Sequence, residues 1–273
     1  MSGLNAKIRN AEGWAVENAV LTVTDMSGQQ VARAVADATG AVTTEPLAPG
    51  VYTAVLTAAG YSPVARTAQI GSDGVGSLGE IPLAPAAGAL ELPPPGPWVI
   101  DPAHSTVVAT ARHLGIASVK ARFSEVSGRI MIERPVERSS VQATIQAAGI
   151  DTGVKMRDDH LRSPDFLDVE LYPTIAFEST GLRQRGADTW TLSGELTLHG
   201  QRRPVDLDLT YSGYGPDPWG GVRVAFHAET QLHRKEFAIN YNAMVRAGIA
   251  AVGTTVKIEL DIEAVQGESL PEL

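Results

Sequence analysis

Residues 105–113 read STVVATARH, and the alternation along them decides how the longer half of the chain is built. Successive side chains of an extended strand point to opposite faces. Ser105, Val107, Ala109, Ala111 and His113 therefore share one face, and Thr106, Val108, Thr110 and Arg112 share the other. Arg112 marks its own face as the solvated one, which turns the alanine-rich face inward. Small inward side chains leave space unless something else fills it.

Seven more runs extend the pattern: residues 120–133, 139–150, 174–182, 189–198, 204–214, 221–231 and 253–264. Eight long antiparallel strands predict a closed barrel with room for one elongated ligand, in preference to a two-sheet sandwich with a filled core. Scarce aromatics (5%) beside 27 Gly and 17 Pro agree with an all-β chain.

One stretch breaks the strand pattern. Residues 154–173, VKMRDDHLRSPDFLDVELYP, place Met156 with His160, Arg157 with Leu161 and Asp158 with Arg162 at i,i+4 spacing. That spacing predicts a short helix with an apolar and imidazole edge beside an ion-paired edge. Thr152 is the expected N-cap, and Ser163, preceding Pro164, is driven out of the α region, leaving about two turns. A second, one-turn start is expected at Ser163 to Phe166, with Pro164 at its first position. A helix this short is marginal alone in water, so it must lie against the sheet.

The first 85 residues read differently. Short runs at 4–8, 19–24, 30–36, 51–57 and 65–70, separated by turn signals such as Ser27-Gly28 and Pro49-Gly50, predict a small β-sandwich. None of the six histidines falls there, and the only basic residues are Lys7, Arg9, Arg33 and Arg66, which argues against a catalytic site. Residues 86–97, AAGALELPPPGP, read as a linker in which three prolines favour an extended spacer. The barrel then occupies residues 98–265, and 266–273 form a tail.

Thirty-one acidic against 22 basic residues give a net charge of -9, which disfavours non-specific binding to nucleic acid or to an anionic membrane surface. Without cysteine there is no disulfide, thiolate nucleophile or Cys-based zinc or iron-sulfur site. MSGLNAKIRN lacks a cationic stretch followed by an apolar run, and no window approaches the ~20 apolar residues of a membrane span. The expectation is a cytoplasmic protein without stable membrane insertion.

Two resemblances follow from longer motifs. Asn10-Ala11-Glu12-Gly13, Asp37-Ala38-Thr39-Gly40, Leu47-Ala48-Pro49-Gly50-Val51-Tyr52 and Ala59-Gly60-Tyr61 resemble the carboxypeptidase regulatory-like domain, a transthyretin-like or Cna-B-like sandwich. This implies an accessory or interaction module, with Tyr52 and Tyr61 as core or corner aromatics. Residues 97–265 resemble the YceI family of lipid-binding, lipocalin-like barrels. The motifs are Trp98 to Ser105 (WVIDPAHS), His113-Leu114-Gly115, Arg122-Phe123, Arg157 to Ser163 (RDDHLRS), Asp165-Phe166, Tyr172-Pro173, Gly194 to Gly200 (GELTLHG) and Pro218-Trp219-Gly220. Departures are alanines at 109 and 111, where larger residues are common, and Ala121 and Ala238, where glycine is frequent.

The second resemblance implies a barrel, often dimeric, whose bore holds a polyisoprenoid or other long-chain lipid such as a fatty-acid derivative. It places His104, His113, Arg157, Asp158 and His160 near the mouth. The expected apolar lining is Val107, Ala109, Ala111, Phe123, Met131, Leu161, Phe166, Phe177, Leu196, Phe226 and Phe237. No cofactor and no metal is expected, since Asp101, His104, His113 and His160 lack metal-motif spacing. Ser105 beside His104 points to the opposite strand face and makes a poor nucleophile pair. A carrier or reservoir is expected in preference to an enzyme. The alternatives are His160 and Asp158 acting as acid and base on such a lipid, or a sandwich that docks a protein partner.

Overall fold

The computed structural model describes residues 3–218, 221–241, 244–245, 249–250 and 252–271. Trp219 and Gly220 of the Pro-Trp-Gly motif lie outside these. The chain forms two compact units, and the boundary within the expected linker falls between Ala89 and Leu90.

The first unit is a β-sandwich. Strands β1 (Leu4–Arg9), β2 (Val20–Thr24), β3 (Gln30–Val35), β4 (Ala41–Thr43), β5 (Gly50–Thr57), β6 (Val64–Ile70) and β7 (Gly76–Pro82) form two sheets, in the orders β4-β1-β7 and β3-β2-β5-β6. Alternation buries Leu4, Ile8, Leu21, Val23, Leu56 and Leu83 between them. Gly40 holds φ 73° where an added Cβ would lie 2.4 Å from the Ile8 carbonyl oxygen, so only glycine fits the turn. The Tyr52 hydroxyl donates to the Ala48 carbonyl at 2.9 Å, fastening the corner before β5.

In the second unit β8 (Gly96–Ile100) and β9 (Thr106–His113) lie in the same direction along one long partner, β20 (Val252–Gln266). Two more walls are likewise interrupted: β10 (Ala117–Phe123) and β11 (Val126–Ile132), then β12 (Ser140–Gln146) and β13 (Ile150–Asp151). The expected single strand over 120–133 therefore breaks at Ser124-Glu125, where the Glu125 carbonyl accepts from the Gln146 amide at 3.1 Å. β14 (Thr174–Gln184), β15 (Thr189–Leu198), β16 (Gln201–Pro216) and β17 (Val222–His233) complete the set. A two-residue pair, β18 (Met244–Val245) and β19 (Ile249–Ala250), stands apart from the main sheet. The eight walls follow one another antiparallel in chain order, and β20 pairs back onto β8 and β9, closing an up-and-down barrel.

Because every connection joins neighbours, the connections alternate between two ends. Among the described residues, 114–116, 152–173, 199–200 and 234–241 gather at one, hereafter the helix end, and 133–139 and 217–218 at the other. Helix α1 (Lys155–Arg162) forms where its i,i+4 pairs predict. Its cap differs from expectation: Val154 is the N-cap and no side chain caps it. Thr152 is held by another interaction, its hydroxyl donating to Asp158 Oδ1 at 2.5 Å and accepting from Arg157 Nε at 2.8 Å. The segment Ser163 to Phe166 is a turn and not a second helix, with the Ser163 hydroxyl on the His160 carbonyl at 2.7 Å.

The proline-rich stretch is no free spacer beyond Ala89. The Tyr211 hydroxyl donates to the Glu91 carbonyl (2.7 Å), Arg134 Nη2 to Pro93 (2.8 Å) and Trp98 Nε1 to Pro94 (3.2 Å), while Leu92 packs on the barrel core.

Candidate ligand cavity

Inward-facing residues of the barrel walls enclose a cavity of about 580 Å³. On β9 these are Val107, Ala109 and Ala111, the parity read from the sequence, and His113 follows them at the helix end. Phe123, Phe177, Leu196 and Phe226 line it from β10, β14, β15 and β17, and Phe237 from the turn after β17. Leu161, Phe166, Arg157 and His160 close over it from α1 and the turn that follows. The cavity-lining residues include no Asp or Glu.

Three expected site residues do not line it. Met131 points outward and is 39% exposed, because Ile130 and Ile132 take the inward positions of β11. His104 lies nine residues before His113 and precedes β9, whose seven steps from Thr106 to His113 alone span roughly 23 Å, so it sits towards the far end. There its Nδ1 lies 2.7 Å from Asp101 Oδ2, and Arg223 Nη1 lies 2.6 Å from both Asp101 and Glu263. Arg223 also bonds Asp217, so one guanidinium ties three carboxylates of the barrel rim together. Asp101, His104 and Glu263 offer atoms spaced as metal ligands are, but the Arg223 cation already lies among them. Burial alone would raise the Asp101 pKa; the bonds from Arg223 and His104 outweigh it and hold the carboxyl below its ordinary value.

Asp158 is the third. Its carboxylate is buried under Thr152, accepting from that residue's amide (2.9 Å) and hydroxyl. Those bonds, the hydroxyl's first, lower its pKa. Through the shared hydroxyl it positions Arg157, whose Nη2 also donates to the Thr152 carbonyl at 3.1 Å. Asp158 thus orients a lining residue without being one.

The expected pair His160 and Asp158 does not meet. His160 Nε2 lies 2.8 Å from Asp165, and its ring packs edge-on against Phe166 and Tyr241 at centroid distances of 5.0 and 4.9 Å. Ser105 exchanges bonds with the Glu263 backbone, giving its hydroxyl hydrogen to the carbonyl (3.1 Å) and accepting from the amide (3.0 Å). The Ser105 hydroxyl hydrogen is thus committed to a backbone carbonyl and not to His104.

Sequence reasoning missed Arg234 and Tyr241. Arg234 is 5% exposed and lines the cavity. Its guanidinium donates to the carbonyls of Gly253 (2.9 Å), Ile239 (3.1 Å) and Tyr241 (2.6 Å). Burial lowers its pKa, though a guanidinium remains charged. No spacing in the sequence marks an arginine buried by carbonyls from two later segments.

The lining residues exposed to solvent are Arg112, His113 and Tyr241, which sit at the helix end. Trp98, Ile100 and Tyr211 are buried towards the far end. The cavity is thus apolar along its length, with nitrogen donors concentrated near its exit.

Comparison with known proteins agrees with this architecture. A family model for the YceI-like domain matches residues 98–264, and one for the carboxypeptidase regulatory-like domain matches residues 3–83. A UPF0312 protein of Vibrio cholerae serotype O1 is 34% identical over 172 residues, covering 62% of this chain and 87% of that protein. A UPF0312 protein of Azotobacter vinelandii is 38% identical over 146 residues, covering 52% and 76%. The crystal structure of Burkholderia cenocepacia BcnA shares the fold, with a TM-score of 0.53 at 23% identity over 60% of this chain and 98% of that one. With its closed eight-walled barrel matched over residues 98–264, the chain belongs to the YceI-like family, and a carboxypeptidase regulatory-like domain precedes the barrel.

Proposed function

We propose that the barrel binds a long-chain lipid as a carrier or reservoir, with the tail in the bore and a polar head at the helix end near Arg157, His113 and His160. The observation that carries this reading is the cavity itself, 580 Å³ lined almost wholly by aliphatic and aromatic side chains. Burying a methylene contributes about 0.8 kcal/mol, so a long prenyl or acyl tail outweighs a single charged hydrogen bond of roughly 1.5–3 kcal/mol. Tail length sets affinity and the head sets orientation. Acid–base chemistry by His160 with Asp158 is disfavoured, since Asp158 is engaged by Thr152 and His160 by Asp165. Mass spectrometry of an organic extract from the purified protein tests the reading. A stoichiometric long-chain lipid is expected; an extract without one, together with no uptake of a fluorescent fatty acid, would sink it.

A further inference from the structure

Among the described residues, the barrel unit's most exposed large apolar side chains are gathered at one end. Ile116 and Met156 are each 82% exposed, Leu171 64%, Val154 45% and Tyr241 37%. All five fall in connections at the helix end: the β9–β10 turn, the segment holding α1, and the one after β17. Among the other described residues of this unit Leu90, Met131 and Leu270 reach no more than 42%, below all of these but Tyr241. A single exposed apolar residue needs no explanation, but a group around a cavity exit does.

The β9–β10 turn adds an independent sign. Leu114 (φ 53°) and Gly115 (φ 72°) both hold positive φ, and the Ile116 amide closes the turn on the His113 carbonyl at 3.1 Å. Such a turn favours Asn-Gly. Leucine there places apolar bulk where a polar residue would be conformationally easier.

We infer that the helix end docks on the surface of a lipid bilayer, Ile116, Val154, Met156 and Leu171 entering the acyl boundary while the cavity exit faces the lipid. This rests on the lipid-binding reading above, because a long tail transfers poorly through water and its source is a bilayer. With a net charge of -9 the chain gains no general attraction to an anionic surface, so the apolar side chains supply the contact. Among the described residues no helix is long and apolar enough to cross a membrane, in keeping with surface docking.

The test is flotation of the full chain with phosphatidylcholine vesicles. The parent is expected to float, at low and high salt alike. Ile116→Glu and Met156→Glu should each lower the partition coefficient by roughly tenfold or more, the loss of one buried apolar side chain. Met131→Glu, on the barrel wall, should float like the parent. A parent that stays at the bottom, or helix-end variants that float as it does, would overturn the proposal. Uptake of a fluorescent fatty acid from cyclodextrin reads the cavity alone and should be equal in the parent and Ile116→Glu. Failure of that uptake in the parent strikes the lipid-binding reading, and with it the reason for docking.

Discussion

Ala238 holds φ 57° immediately after the Arg234–Phe237 turn, a left-handed conformation that costs a residue with a Cβ roughly 1–2 kcal/mol. Ala238→Gly is therefore expected to stabilise the barrel by about 0.5–1 kcal/mol, after glycine's larger unfolded-state entropy is offset. A rise in the urea midpoint at unchanged slope would show it. Asp158 gives a pH signature of definite sign. Its folded pKa is depressed by Thr152, so its contribution is present above the unfolded carboxylate value of about 4 and is lost as pH falls through the folded one. The stability gap between the parent and Asp158→Asn should be constant from pH 7 to about 5 and close on further acidification. A gap that persists at pH 2 would mean the carboxylate's charge is irrelevant. At this scale the sequence was legible where side-chain parity governs, as for Val107, Ala109 and Ala111. It was illegible where distant carbonyls decide, as for Arg234.

Strand β9 presents Ala109 and Ala111 to the bore, and Ala109 lies opposite Ala121 of β10 and Ile258 of β20. Ala109→Phe fills that part of the cavity. It is expected to weaken binding of long tails whatever the head group, while short-chain analogues are less affected, measured by displacement of a fluorescent lipid after circular dichroism confirms folding. Unchanged binding of long tails would place the ligand elsewhere. The long strands and α1 were readable because alternation and i,i+4 spacing persist over whole elements. β4, three residues long, and β7, GSLGEIP with two glycines and a proline, carry too little periodicity to be seen. The breaks in the barrel walls escaped for a related reason. A wall that bends at Ser124-Glu125 keeps its alternation on either side, and no glycine or proline marks the place. The bore was therefore legible as a surface, and its curvature was not.

For the molecule as a whole, the boundary between Ala89 and Leu90 narrows where a protease should act. Glu91, Pro93 and Pro94 are hydrogen-bonded to the barrel, so limited proteolysis is expected to cut between Ala86 and Leu90 and to spare the three prolines. Two fragments with separate unfolding transitions should remain; one inseparable transition would show that the units depend on each other. The pairing of β20 with both β8 and β9 has a temporal side. A ribosome delivers this barrel wall by wall, yet the ring cannot shut until the residues that meet Trp98–Ile100, namely Ala264–Gln266, have emerged. Seven walls must wait with two unpaired edges, the state in which nascent β chains stick to one another. The sandwich, whose own first and seventh strands pair through Leu4 and Gly76, is already complete by then. Each new barrel is thus made after a folded companion, and it stays vulnerable until its eighth wall has been delivered.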